Sequence, residues 1–82
     1  MTASPDEVAV RFCRVCDEVV RSGLAVNKTA FCTSVGLRLS NYNLILHGVR
    51  TVCTGRLCDV VNVYGVSPDW LFLGVGSMFR EV

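Results

Sequence analysis

Five basic side chains, Arg21, Lys28, Arg38, Arg50 and Arg56, fall in the stretch from residue 19 to 58, which contains no carboxylate. The acids Asp6, Glu7, Asp17, Glu18, Asp59, Asp69 and Glu81 flank it on both sides. A run of cations without intervening anions suits contact with phosphate oxygens, because the attraction is not cancelled locally. The formal net charge of +1 hides this asymmetry. A chance cluster on a solvated face is the plainer alternative.

Five cysteines, Cys13, Cys16, Cys32, Cys53 and Cys58, raise metal or disulfide chemistry. Cys13 and Cys16 form a CxxC, but no second CxxC follows and His47 is the single histidine, so a four-ligand zinc set is not completed. An odd count behind the polar opening MTASPDE predicts free thiols that act as small buried apolar groups in a reducing compartment. Oxidation of the Cys13 and Cys16 pair as a regulatory switch is the lesser alternative. No Ser/His/acid set, paired carboxylate in an apolar setting or phosphate-cradling glycine loop is present. The expectation is therefore a non-enzymatic protein without metal or cofactor, with His47 as a helix-end residue.

The elements that position these groups follow from spacing. A chain of 82 residues makes one domain, 1–82, with a stability on the order of 5–10 kcal/mol. Its 51% hydrophobic content exceeds that of an average soluble domain and predicts a partner surface. No apolar run approaches the ~20 residues that span a bilayer, so the expected location is the cytoplasm.

A helix over residues 5–22 takes Ser4 as N-cap, Pro5 in its first turn with Asp6 and Glu7, and Val8, Phe12, Val15, Cys16 and Val19 as its buried stripe. Asn27 caps a second helix over 28–35, with Phe31, Cys32 and Val35 inward and Gly36 as its stop. A third spans 39–46, with Tyr42 and Ile45 inward, Leu39 and Leu46 on one flank of the buried side, and Ser40, Asn43, Leu44 and His47 outward. A fourth runs over 54–64 through Leu57, Val60, Val61 and Tyr64 to Gly65. Its β-branched end, 60–66, carries some strand propensity. Ser67 and Pro68 open a fifth that ends at Gly74, with Trp70, Leu71 and Leu73 sealing the core. The class is all-α.

Residues 28–47 thus read as two short helices at helix-turn-helix spacing. Cys32 is the small residue where the helices cross, Gly36 supplies the positive φ of the turn, and Tyr42 and Ile45 anchor the second helix. That motif points to DNA.

On three blocks, NKTAFCTSVG, SNYNLILHG and YGVSPDWLFLGVGSM, residues 8–78 resemble the lambda-repressor/Cro-like (XRE) helix-turn-helix family. The resemblance implies a compact five-helix phage-repressor-like bundle whose third helix enters the major groove. It further implies a bacterial or phage transcriptional repressor that binds double-stranded DNA as a homodimer on a pseudo-palindromic operator. Carried over by position, it assigns Lys28, Arg50, Thr51, Thr54 and Arg56 to phosphates, and Arg38, Leu39, Ser40, Asn43 and Leu44 to bases. Arg38 can reach either a phosphate or the O6 and N7 of guanine, Asn43 can pair with adenine, Ser40 can serve base or backbone, and Leu44 can meet a thymine methyl. It leaves Arg11, Arg14, Arg21 and Arg80 as solvated surface.

Two leucines depart from the family pattern, since Leu39 and Leu44 stand where polar side chains are usual. They sustain the alternative of a protein-interaction module, antitoxin-like or otherwise partner-binding, on the same fold. The sequence leaves open whether Met78 and Phe79 pack on the core or on a second subunit.

Overall fold

An apolar stripe along a 17-residue helix is too broad for one partner, and the fold is built around it. In the computed structural model, which describes residues 5–80, α1 (Pro5–Arg21) packs against α2 (Lys28–Ser34), α3 (Leu39–Leu46) and α5 (Pro68–Leu73), and α4 (Thr54–Tyr64) completes the bundle. Among the described residues there is no β-strand, only an isolated antiparallel bridge between Val66 and Phe79. The fold is all-α. The expected cap Ser4 lies outside the described residues.

Local chemistry explains the boundaries. The side chain of Asn27 accepts the Ala30 amide at 2.8 Å and starts α2, and Ser67, followed by Pro68, starts α5 in the same manner. α1 closes through two reversed bonds, Leu24 N–H to the Val19 carbonyl at 3.0 Å and Gly23 N–H to Val20 at 3.2 Å, which satisfy carbonyls the helix leaves open. α1 and α2 each end one residue before their expected ends, and α3, α4 and α5 keep theirs.

One hydrophobic cluster forms the core. The whole expected stripe of α1 is buried, as are Phe31, Cys32 and Val35, Tyr42 and Ile45, and Leu57 and Val60. Phe31 is its aromatic hub: it meets Phe12 of α1 edge-on at 5.7 Å, Tyr42 of α3 edge-on at 6.4 Å, and Tyr64 of α4 in a stacked pair at 5.4 Å. Such pairs contribute about 0.5–1.5 kcal/mol each beyond area burial. The Ser34 and Tyr64 hydroxyls, 2.5 Å apart, add a second tie between α2 and α4.

Several expectations change. Leu73 is 55% exposed and Trp70 only half-buried, so Leu71 alone of that trio is fully enclosed. Residues 71 and 73 lie about 200° apart on a helix, and a six-residue helix cannot bury both on one side. Leu39 and Leu46 do not join the buried side of α3 but stand 40% and 44% exposed. Cys53 and Cys58 are exposed, so only Cys13, Cys16 and Cys32 behave as buried apolar groups. The β-branched end of α4 stays helical to Tyr64, and Val66 is buried beneath the tail. There Ser67 N–H donates to Met78 and Arg80 N–H to Gly65, both at 2.8 Å, and Met78 and Phe79 pack on this chain's own core.

Of the four arginines expected on solvated surface, Arg14, Arg21 and Arg80 are exposed and Arg11 is half-buried, and three of the four have partners. Arg11 donates to the Leu71 and Phe72 carbonyls, at 2.8 and 3.1 Å, and so caps the end of α5 from α1. Arg80 donates to the Val61 carbonyl at 3.1 Å, and Arg21 pairs with Glu18.

The CxxC faces α3. The Tyr42 hydroxyl is buried without a hydrogen-bond partner of normal geometry, and the thiols of Cys16 and Cys13 are its polar neighbours. Burial holds this phenol in its neutral form and raises all three thiols, with Cys32 pushed up to about 11. A thiol raised in the fold keeps its proton at a pH where the unfolded chain has released it. The associated stability is therefore complete below the ordinary value of 9.0 and is lost as the pH climbs towards 11. Under reducing conditions the melting temperature should fall between these limits, and Cys32→Ala should make that fall shallower. An unchanged slope in the variant would show that Cys32 does not titrate as described.

Candidate nucleic-acid interface

The turn between α2 and α3 sets the geometry. Leu37 N–H reaches back to the Cys32 carbonyl at 2.8 Å and Gly36 N–H to Thr33 at 3.2 Å, with Gly36 at φ +70°. Arg56, from the first turn of α4, donates to the Gly36 carbonyl at 2.6 Å and pairs with Asp59 at 3.3 Å. A Cβ on Gly36 would sit 2.3 Å from the Arg56 guanidinium. Position 36 is therefore doubly restricted, by its backbone and by the arginine against it.

Arg38 follows with extended backbone as the N-cap of α3, and its carbonyl accepts Tyr42 N–H at 3.0 Å. Tyr42 and Ile45 point into the core. Leu39, Ser40, Asn43, Leu46 and His47 are exposed, and Leu44 is half-buried. Leu39 stands at the edge of the outward face, about 40° round the helix from Asn43 and about 60° from Tyr42, and is 40% exposed. Beyond α3, the Val49 and Arg50 amides return to the Leu44 carbonyl at 2.9 and 3.3 Å, and Arg50 donates to the Asn41 side chain at 3.2 Å. Arg50 is thereby held against α3 while remaining exposed.

The remaining sequence-assigned positions are open to solvent. Lys28 is the first residue of α2, Thr54 the first of α4, and Thr51 lies in the preceding loop, all exposed. Helices α2, α3 and α4 each begin without an acid in the first turn, and neither Arg38 nor Cys53 makes a side-chain cap bond. Their amino ends keep the partial positive charge that favours anions. Asp59, the carboxylate nearest in sequence, is half-buried and paired with Arg56. A groove of about 510 Å³ runs between α1 and the end of α3, floored by Ala9, Cys13 and Ile45, with Arg14, Asp17 and Arg50 also lining it. Among the described residues no group of three or more His, Cys, Asp or Glu is placed to hold a metal ion.

The tie between Arg56 and Gly36 and that between Arg50 and Asn41 escape sequence reading, since both join a guanidinium to an oxygen with no periodic relation to it. Arg56 also differs from Lys28, Arg38 and Arg50 in being half-buried.

A double-mutant cycle tests the turn. Gly36→Ala should cost about 1–2 kcal/mol from the positive φ alone, with a further loss from displacing Arg56. In an Arg56→Ala background only the backbone part should remain. Urea denaturation measures both, and equal costs in the two backgrounds would show that the residues are not coupled. Comparison with protein-family models, with curated proteins and with solved structures finds no match.

Proposed function

We propose that this chain is a sequence-specific DNA-binding transcriptional regulator of the phage-repressor type, with no catalytic activity, that inserts α3 into the major groove of double-stranded DNA. The observation that carries the reading is a short, exposed, acid-free helix, pinned to the core by Tyr42 and Ile45 and bordered by Arg38, Lys28 and Arg50. In this reading Lys28, Arg50, Thr51 and Thr54 contact phosphates, aided by the uncapped amino ends of α3 and α4. Arg38, Leu39, Ser40 and Asn43 face base edges, with Leu44 at their margin. Arg56 acts one step back, by holding the turn that aims α3.

The protein acts as a homodimer on an inverted repeat. Two copies related by a two-fold axis would present equivalent α3 helices to half-sites one DNA turn, ~34–36 Å, apart. A DNA partner places the protein in the cytoplasm, and no helix among the described residues is long and apolar enough to cross a membrane.

A second reading, a partner-binding module on the same fold, draws on the exposed apolar side chains Leu39, Leu46 and Val49 around α3. Selection from a random DNA pool, followed by titration at two salt concentrations, separates the two. The regulator should enrich an inverted repeat, and Arg50→Ala should weaken binding to specific and random DNA alike while reducing the salt slope by about one. Failure to bind any DNA at low salt would overturn the regulator in favour of the partner-binding module.

A further inference from the structure

We infer that α3 selects an A·T step within each half-site, with Leu39 packed on a thymine methyl and Asn43 paired with an adenine. The inference rests on the DNA-binding reading and assigns its base selectivity.

The chemistry of the exposed face carries it. Guanine offers two acceptors in the major groove and calls for Arg or Lys, whereas cytosine offers a donor and calls for Asp or Glu. None of these four residue types occurs between residues 39 and 46. The groups that α3 does present are different in kind. Asn43 is exposed and its amide makes no hydrogen bond among the described residues, in contrast to Asn41, whose oxygen accepts from Arg50. A free carboxamide, donor and acceptor side by side, matches the N6 and N7 of adenine and mismatches the paired acceptors of guanine.

Leu39 is 40% exposed on the first turn of α3, one helical turn before Asn43 and on the same side. Its branched methyls can bond no polar base edge, and they would strip water from a cytosine amine or guanine carbonyl without replacing the hydrogen bond. The thymine C5 methyl is the one major-groove feature that it favours. Leu44 is half-buried, so the methyl contact falls to Leu39. Four residues rise about 6 Å along a helix, so Leu39 and Asn43 address neighbouring or next-neighbouring base pairs. Arg38 lies before the helix, and a guanine read by it falls outside these two positions. Ser40 accepts or donates and leaves the choice unchanged.

The test replaces thymine with deoxyuridine, which deletes only the methyl group. On the half-site enriched from a random pool, this change at the Leu39-facing base should weaken wild-type binding about fourfold, the effect of burying one methyl. It should leave Leu39→Ala unaffected, and Leu39→Val should retain part of the discrimination. Asn43→Ala should lose its preference for adenine at one position by about tenfold or more. Both side chains are exposed, and circular dichroism with a thermal melt should show the variants folded as the wild type is. An enriched half-site with G·C at these positions, or an equal uracil penalty in wild type and Leu39→Ala, would overturn the inference while leaving DNA binding intact. Absence of binding to every DNA would instead overturn the DNA-binding reading, and this inference with it.

Discussion

The ring of Phe31 is the meeting point on which the bundle depends. It touches an aromatic side chain from each of α1, α3 and α4 while standing itself on α2, so one side chain orients four helices. Deleting a buried phenylalanine typically costs about 3–5 kcal/mol, a large part of what a domain of this size possesses. The same contacts fix the roll of α3. With Tyr42 drawn inward against Phe31 and the CxxC of α1, the 100° advance per residue turns Asn43 outward and leaves Leu39, about 60° from Tyr42, at the margin of the buried side. The outward face of α3 is thus a consequence of how its inward side packs on α1 and α2.

Charge is divided between two tasks. Arg11, Arg56 and Arg80 donate to backbone carbonyls at the end of α5, in the turn before α3, and along α4, where Arg80 joins the Gly65 N–H on the Val61 carbonyl. Lys28, Arg38 and Arg50 remain exposed around α3, with Arg50 only lightly tethered through Asn41. Among the described residues the acids that meet the acid-free stretch from residue 19 to 58 are Asp59, taken up by Arg56, Glu18, paired with Arg21, and Asp17, which lines the groove that Arg50 also lines.

Helix limits were legible because they are written in short-range chemistry: Asn27 and Ser67 as caps, Pro68 in a first turn, and glycine at each close. The buried stripes of α1 and α2 were legible for the same reason, since the period of a helix is local. Arg11 was not, because its partners lie 60 and 61 residues away and a carbonyl has no residue type to recognise. Nor was Arg56, whose sequence position beside exposed threonines resembles that of a phosphate contact while its guanidinium turns back to Gly36. Leu39, Leu46 and Leu73 misled for a simpler reason: helical period sets Leu39 and Leu46 within about 60° of Tyr42, yet both end at the margin of the core, and Leu73 lies across its helix from Leu71. The sequence pointed to the turn and to α3 as the chemical surface, and only the packing ranked the residues on it by exposure.

The division of labour along α3 has an evolutionary consequence. Tyr42 and Ile45 bind the helix to the rest of the molecule, whereas Leu39, Ser40, Asn43, Leu46 and His47 face outward. Substitutions at the outward positions change little that the fold relies on, since exposed sites typically shift stability by less than about 0.5 kcal/mol. These five positions can therefore be rewritten almost independently of the scaffold, by natural drift or by a designer. The inward pair, the glycine of the turn and the arginine seated on it form the chassis that such rewriting must leave alone.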